Sequence, residues 1–313
     1  MPDLTPTSGQ AAPLGRAFTD ESDLVDLDLL RFDGPNTRRT YARDLESFFG
    51  SPVITLEMAR EVTFPDVNAF IEALESKGKA PSTIRRRVTA IRGFFAWLVA
   101  LGFLPLNPAD RQLVRRVAMD RLQDRVLTVL TKDQARSLVD TVDLDRETGP
   151  RDRALLLVLL HCVLRRSEAA AMDFEHIRQV GPHWVLDLPR TKGGANQTVK
   201  MPPDVAKSVL ELKSVYGYAE GPIWRSHSHN SRGRRLSGTS VYNIVSRHAK
   251  RAGIDAGVGA HTLRHTGCTL AIEAGASVQQ VKNHARHKNL ETTMIYVHQR
   301  DRLADSAADY IDF

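Results

Sequence analysis

The chain has 313 residues, 42% hydrophobic and 26% charged, which leaves room for two cores of ordinary size and excludes a disordered or fibrous protein. No apolar run reaches the roughly 18 residues of a membrane span, and the N-terminus lacks a basic-then-apolar export pattern, so the sequence argues against insertion and secretion. The only two cysteines, Cys162 and Cys268, lie in apolar helical contexts, which excludes a disulfide framework and fits a reducing cytoplasm. The net charge of +6 is unevenly spread. Residues 1–33 carry two basic against seven acidic side chains, residues 34–119 carry 13 against 8, and the remainder carries 28 against 22. An acidic leader thus precedes two basic blocks. Such blocks favour a polyanion through counterion release, although a solvated basic surface explains a modest surplus equally well.

In chain order, residues 1–22 are rich in Pro, Ser, Thr, Gly and Ala without periodicity and read as a mobile tail. Residues 23–32 alternate acids with leucines and suit a short helix. Asn36-Thr37 caps a helix running to Phe49 and stopped by Gly50, with Tyr41, Leu45, Phe48 and Phe49 as its apolar stripe. Arg38, Arg39 and Arg43 sit largely off that stripe. A second helix spans 65–77. A third begins after Pro81-Ser82, with Ile84, Val88, Ile91, Phe95 and Leu98 facing a core. Its outer face carries Arg85, Arg86, Arg87 and Arg92, a pattern suited to docking on phosphates or simply to solubility. Pro105-Leu106-Asn107-Pro108 ends this bundle, and a short basic helix is expected over 111–116.

Residues 120–126 are charged, lack periodicity and read as a linker between domains at 34–119 and 127–313. Thr131-Lys132-Asp133-Gln134 is a capping-box pattern that opens a helix to 142, and Pro150 opens a strongly apolar one over 153–164. Two short alternating runs, 184–188 and 197–201, flank the turn-prone stretch 189–196 and predict a hairpin with Lys192 at its tip. Helices are expected at 203–215, 239–252, 262–274, 277–284 and 290–298, with a terminal one over 300–311.

The chemistry concentrates between His261 and His298. His261 and Arg264, three apart on a helix, share a face near its N-terminus, where the helix already favours anions. A phosphodiester there meets a guanidinium able to bind two oxygens and an imidazole donor. Arg165 ends an apolar helix, where packing does not explain a charge, and Glu168 is placed to orient it. Two arginines and one or two histidines neutralise a phosphoryl transition state without metal, a tyrosine serves as nucleophile, and a lysine on a loop protonates the leaving oxygen. Each residue also has a plain alternative: Tyr296 as packing, Lys192 as a solvated turn residue, and His265 as a buried, hydrogen-bonded histidine. A zinc site of His261, His265 and Cys268 is disfavoured because no His-Glu-x-x-His form or paired-cysteine framework is present.

Taken together, these elements resemble the tyrosine recombinase (phage integrase) family, in its simple Xer-like type. The family's Gly-Leu-Arg-x-Ser-Glu box reads Val163-Leu164-Arg165-Arg166-Ser167-Glu168 here, and its hairpin lysine falls on Lys192. Its His-x-Leu-Arg-His box is His261 to His265, its Leu-Gly-His element is Ala285-Arg286-His287, and its Thr-Thr-x-x-Tyr is Thr292 to Tyr296. The match covers roughly 36–300. Two departures stand out: Val163 and Arg286 each replace a glycine beside a catalytic position.

The resemblance implies a mainly α fold with a small β-sheet. A partly disordered acidic leader (1–33) precedes an all-helical core-DNA-binding domain (34–119), a linker (120–126) and a mixed α+β catalytic domain with a C-terminal helix (127–313). It implies a site-specific DNA recombinase that needs neither metal nor ATP, with no cofactor. Tyr296 would form a 3′-phosphotyrosyl link; Arg165, Arg264, His261 and His287 would stabilise the transition state; Lys192 would act as general acid. Arg38, Arg39, Arg43, Arg85, Arg86, Arg87 and Arg92 are the DNA-binding candidates. The expected partners are a double-stranded core site and further copies in a tetramer on two duplexes that exchange strands through a Holliday junction. A second recombinase or accessory factor stays open, the expected location is the cytoplasm at the nucleoid, and no membrane is involved. By resemblance, the terminal helix ending in Tyr310-Ile311-Asp312-Phe313 packs into a neighbouring protomer. The rivals are a type IB topoisomerase, with the same chemistry but no partner site, and a non-catalytic DNA-binding protein.

Overall fold

The computed structural model describes residues 24–117, 128–188, 197–254, 257–287, 289–290 and 293–294. The chain divides into two compact units, Met1–Arg121 and Leu122–Phe313. The leader over 1–22, the linker over 120–126, the hairpin tip with Lys192, Tyr296 and the helix expected over 300–311 lie outside the described residues.

Among its described residues the first unit has helices only: α1 (Leu24–Leu29), α2 (Pro35–Phe49), α3 (Leu56–Glu61), α4 (Phe64–Ser76) and α5 (Pro81–Ala100). Proline opens α2 where its missing N–H costs nothing, and Gly50 closes that helix in the left-handed conformation at φ 70°. Thr63 and Asp66 form the capping box of α4. The apolar stripe of α5 is buried as its spacing predicts, and Phe48 and Phe49 of α2 pack edge-on against Phe70, Phe94 and Phe95 around it. The acidic 23–32 stretch is tied into this unit: Leu24, Val25 and Leu29 enter the core, and the Leu24 N–H donates to the Ile54 carbonyl at 3.0 Å.

Two features of this unit depart from the sequence reading. Helix α3, capped by Thr55, is too short to show a stripe. The basic helix expected over 111–116 is a run of turns. Asp110 accepts the Leu113 and Val114 N–H groups on its carbonyl and Gln112 N–H on its side chain, and Arg115 N–H goes to the Asn68 side chain at 3.0 Å. A helix cannot propagate once its next amide is committed elsewhere.

The second unit contains α6 (Lys132–Asp140), α7 (Gly149–His161), α8 (Arg166–Ala170), β1 (Ile177–Val180), β2 (His183–Leu188), β3 (Gln197–Met201), α9 (Pro203–Tyr216), α10 (Gly238–Arg251), α11 (Ala260–Glu273) and α12 (Val278–Ala285). The sheet is antiparallel in the order β1-β2-β3, with Leu186 opposite Val199 on one side and Ile177 on the other. Strand β1 escaped the sequence because Arg178 and Gln179 give it no alternation and most of it is exposed at the edge. The molecule is therefore mainly α with one small sheet.

Helix α7 is the axis of the second unit. Ala154, Leu155, Leu156, Val158, Leu159 and Leu160 are all buried, so it is apolar nearly all round and packs against both α9 and α11. Its first turn holds a buried charge cluster: Asp152 accepts from Arg151 at 2.7 Å and Arg247 at 2.6 Å and faces His248. The crossing with α11 depends on Gly267, where a Cβ would lie 2.1 Å from the Leu160 carbonyl oxygen and 2.7 Å from Val163 Cγ1. That close approach sets the middle of α11 against the end of α7. Among the described residues no helix is long and apolar enough to cross a membrane.

Candidate active site

Helix α7 stops earlier than its apolar run, because Val163 turns into the left-handed region at φ 44°. For a β-branched residue that conformation is a genuine outlier and costs about 1–3 kcal/mol. The turn swings Arg165 to the N-cap of α8. There Glu168 accepts the Arg165 backbone N–H at 2.7 Å through one oxygen and its guanidinium at 2.6 Å through the other. Glu168 thus orients Arg165, as their spacing suggests.

Helix α11 presents His261 and Arg264 in its first turns. His261 is exposed and His265 half-buried one turn on, their rings 6.5 Å apart. Arg264 is 3% exposed and donates to two backbone carbonyls, Val163 and Ala285. Helix α12 ends in a second left-handed residue, Arg286 at φ 57°, and the reversal delivers His287. Its Nδ1 lies 2.8 Å from Thr293 Oγ1, and Thr293 is fully buried. The Arg165 guanidinium also reaches the Arg286 carbonyl at 3.4 Å. Arg165, Arg264 and His287, from segments more than a hundred residues apart at the extremes, thereby meet on the 285–287 turn.

The electrostatics of the cluster follow from burial among cations. Burial, then the Arg165 and Arg286 charges, lowers Arg264 to about 10, so it stays protonated at neutral pH. Burial and the Arg264 and Arg165 charges push His287 down to about 4; burial, His261 and Arg264 do the same to His265. His261 is lowered in the same direction, chiefly by desolvation. Glu168 is driven up by burial, yet Arg286 and then Arg165 reverse the effect and leave it below the usual carboxylate range. The site is therefore cationic arginines, neutral imidazoles and one ionised carboxylate. It suits a doubly anionic phosphoryl transition state.

His265 stays against His261, and Cys268 is buried on the same helix. Among the described residues no three His, Cys, Asp or Glu side chains are arranged to hold a metal.

The DNA-binding candidates fall into two groups. Arg39 and Arg43 are exposed on α2. Arg38 donates to the Phe32 carbonyl at 2.5 Å, Arg86 and Arg87 converge on the buried Asp44, and Arg92 holds the Ala109 carbonyl at 2.7 Å. Arg85 and Arg92 also line a groove of about 430 Å³ with Arg111, Arg115 and Arg116. Sequence reasoning missed the groove because the last three arginines were assigned to a helix of their own.

A helical unit is thus followed by a mixed unit that carries a clustered arginine–histidine site suited to a phosphodiester. The description "Phage integrase family" matches residues 128–302, and "Phage integrase, N-terminal SAM-like domain" matches residues 28–102. Tyrosine recombinase XerC of Thermodesulfovibrio yellowstonii is 30% identical over 285 residues, covering 86% of this chain and 88% of that protein. XerC of Salmonella typhi is 27% identical, covering 84% and 85%. Among solved structures, the Tn1549 transposon integrase with circular intermediate DNA superposes with a TM-score of 0.68 at 16% identity, covering 93% of this chain and all of that one. The XerH post-cleavage complex with palindromic difH gives 0.66 at 18% identity, covering 88% and 80%. The chain belongs to the phage integrase family, the tyrosine recombinases, and its activity is site-specific DNA recombination.

Proposed function

We propose that Tyr296 is the nucleophile, attacking a scissile phosphate to form a 3′-phosphotyrosyl bond as the P–O5′ bond breaks. Arg165 and Arg264 neutralise the non-bridging oxygens, and His261 and His287 hydrogen-bond to them. A neutral imidazole of the site takes up the tyrosyl proton, and Lys192 protonates the leaving 5′ oxygen. Reversal by the partner strand's 5′ hydroxyl restores the phosphodiester without ATP, because the covalent link conserves its energy. The convergence of Arg165, Arg264 and His287 on the 285–287 turn carries this reading.

The protein works as a tetramer on two core sites, in the cytoplasm at the nucleoid, through a Holliday junction. A second recombinase or accessory factor can complete that assembly. The first unit, with its arginine-lined groove and the exposed Arg39 and Arg43, grips the duplex at phosphates. An apolar groove of about 540 Å³ in the second unit, lined by Val139, Leu157, Leu160, Leu270 and Ala271, suits the Tyr310-Ile311-Asp312-Phe313 tail of a neighbouring protomer.

The test is a nicked suicide substrate that traps covalent product. The unsubstituted chain yields an adduct, and Tyr296→Phe binds the same DNA but yields none. A normal adduct from Tyr296→Phe would remove Tyr296 from the mechanism.

A further inference from the structure

The second glycine-replacing residue, Arg286, lies where a family resemblance predicts no side chain at all. A surface residue at the end of a helix would point into solvent. Instead the Arg286 guanidinium is 5% exposed and donates to Glu168 Oε2 at 2.7 Å, the carboxylate that also holds Arg165. It donates further to the His284 carbonyl at 2.8 Å and reaches the Val163 carbonyl at 3.5 Å, an oxygen shared with Arg264.

These contacts make one closed network. Glu168 accepts the Arg165 guanidinium on Oε1, and on Oε2 it accepts both the Arg286 guanidinium and the Arg165 backbone N–H. Arg165 donates to the Arg286 carbonyl, and Arg264 to the preceding carbonyl, Ala285, and to that of Val163 on the α7–α8 turn. The two cations differ in one decisive respect. Arg165 has a side chain 39% exposed, whereas Arg286 is almost wholly enclosed. A buried carboxylate needs a permanent counterion, and an enclosed guanidinium supplies one that substrate cannot compete for. If Arg165 were the only partner of Glu168, its charge would be committed to the carboxylate rather than to a phosphate.

We infer that Arg286 is a positioning residue for the recombination chemistry: it is the resident counterion of Glu168, which leaves Arg165 free to engage the scissile phosphate. The inference rests on the reading of Arg165 and Tyr296 given above. The left-handed backbone at φ 57° is the accompanying cost, since a glycine would adopt it freely. Arg286 touches no reacting atom in this arrangement. Its effect reaches the phosphate through Glu168 and Arg165.

The experiment is single-turnover cleavage of the nicked suicide substrate by the full chain, with DNA affinity measured in parallel. Three variants separate charge from backbone. Arg286→Gly removes the charge and relaxes the turn, Arg286→Met removes the charge and keeps the side-chain bulk, and Arg286→Lys keeps the charge. Misorientation of one phosphate-binding group predicts cleavage about tenfold slower in both the glycine and methionine variants, with DNA affinity unchanged. The lysine variant should recover most of the rate. Adding Arg286→Gly to Glu168→Gln should cost no further rate, because the two act through one network. If the unsubstituted chain cleaves and Arg286→Gly cleaves as fast, the role of Arg286 is overturned while that of Tyr296 stands. The role is equally overturned if Arg286→Met is slow and Arg286→Gly fast, since backbone strain then explains the loss. An unsubstituted chain that forms no adduct overturns the Tyr296 reading and this role with it.

Discussion

Replacing Glu168 by alanine tests the energetics of the network directly. The side chain is 4% exposed and bonds to the Arg165 amide, the Arg165 guanidinium and the Arg286 guanidinium, each within 2.7 Å. The Arg165 ion pair is part-solvated and is worth under about 1 kcal/mol. The Arg286 pair is enclosed on both sides, and removing one member of such a pair costs about 3–5 kcal/mol because the other charge is left buried and unpaired. Each kcal/mol lowers the transition of a unit this size by about 2–4 °C, so Glu168→Ala should lower it by about 10 °C. Calorimetry on the full chain, following the transition of the Leu122–Phe313 unit, measures this. The decisive arm is the double variant. Arg286→Gly added to Glu168→Ala removes the orphaned cation and the left-handed strain together, so the double variant should be more stable than the single by about 2 kcal/mol. A double variant less stable than Glu168→Ala would refute the reasoning, as would a single-variant shift under about 2 °C.

Two further predictions concern the same corner. His265 and His287 are held near 4 in the folded chain against an unperturbed 6.5, so the unfolded chain takes up their protons first as pH falls. The second unit should therefore lose stability between about pH 6.5 and pH 4, with no slope from these groups above pH 7.5, and His265→Asn should flatten the decline. Thermal melts from pH 8 to pH 5 check this, and a transition that rises toward acid would contradict it. Gly267→Ala should destabilise the second unit by several kcal/mol, roughly 3 or more, because the added methyl meets backbone at Leu160 and the Val163 side chain. Separating α7 from α11 should also abolish cleavage, so a stable and active Gly267→Ala would show that the crossing is not what assembles the site.

Much of this was legible in the sequence because it is local and periodic. The stripe of α5, the capping box of α6 and the β2–β3 pairing each rest on residues three or four apart, or on simple alternation. Glu168 beside Arg165 was readable for the same reason, as an i,i+3 pair. What the sequence concealed is non-local. The Asp44 carboxylate under Arg86 and Arg87 is 42 residues from the nearer of them, and the Asp152 cluster draws Arg247 and His248 from α10. Nothing in the neighbouring letters indicates that these arginines neutralise buried acids.

The two glycine replacements show how such a departure can be read physically. Val163 and Arg286 are the only described non-glycine residues with positive φ, and their backbone oxygens or neighbours hold the guanidiniums of the site. A glycine leaves such a turn free to relax, whereas a side chain packed on one side fixes it. Val163 is 2% exposed and sits against Gly267; Arg286 is anchored on Glu168. Each strained turn is thus held by a contact made only when α7, α8, α11 and α12 are assembled. The carbonyls that Arg264 and Arg165 need are then presented by the folded unit rather than by local preference, and the arginines lose little further freedom when a phosphate arrives. The strain and the preorganisation are two consequences of the same pair of turns.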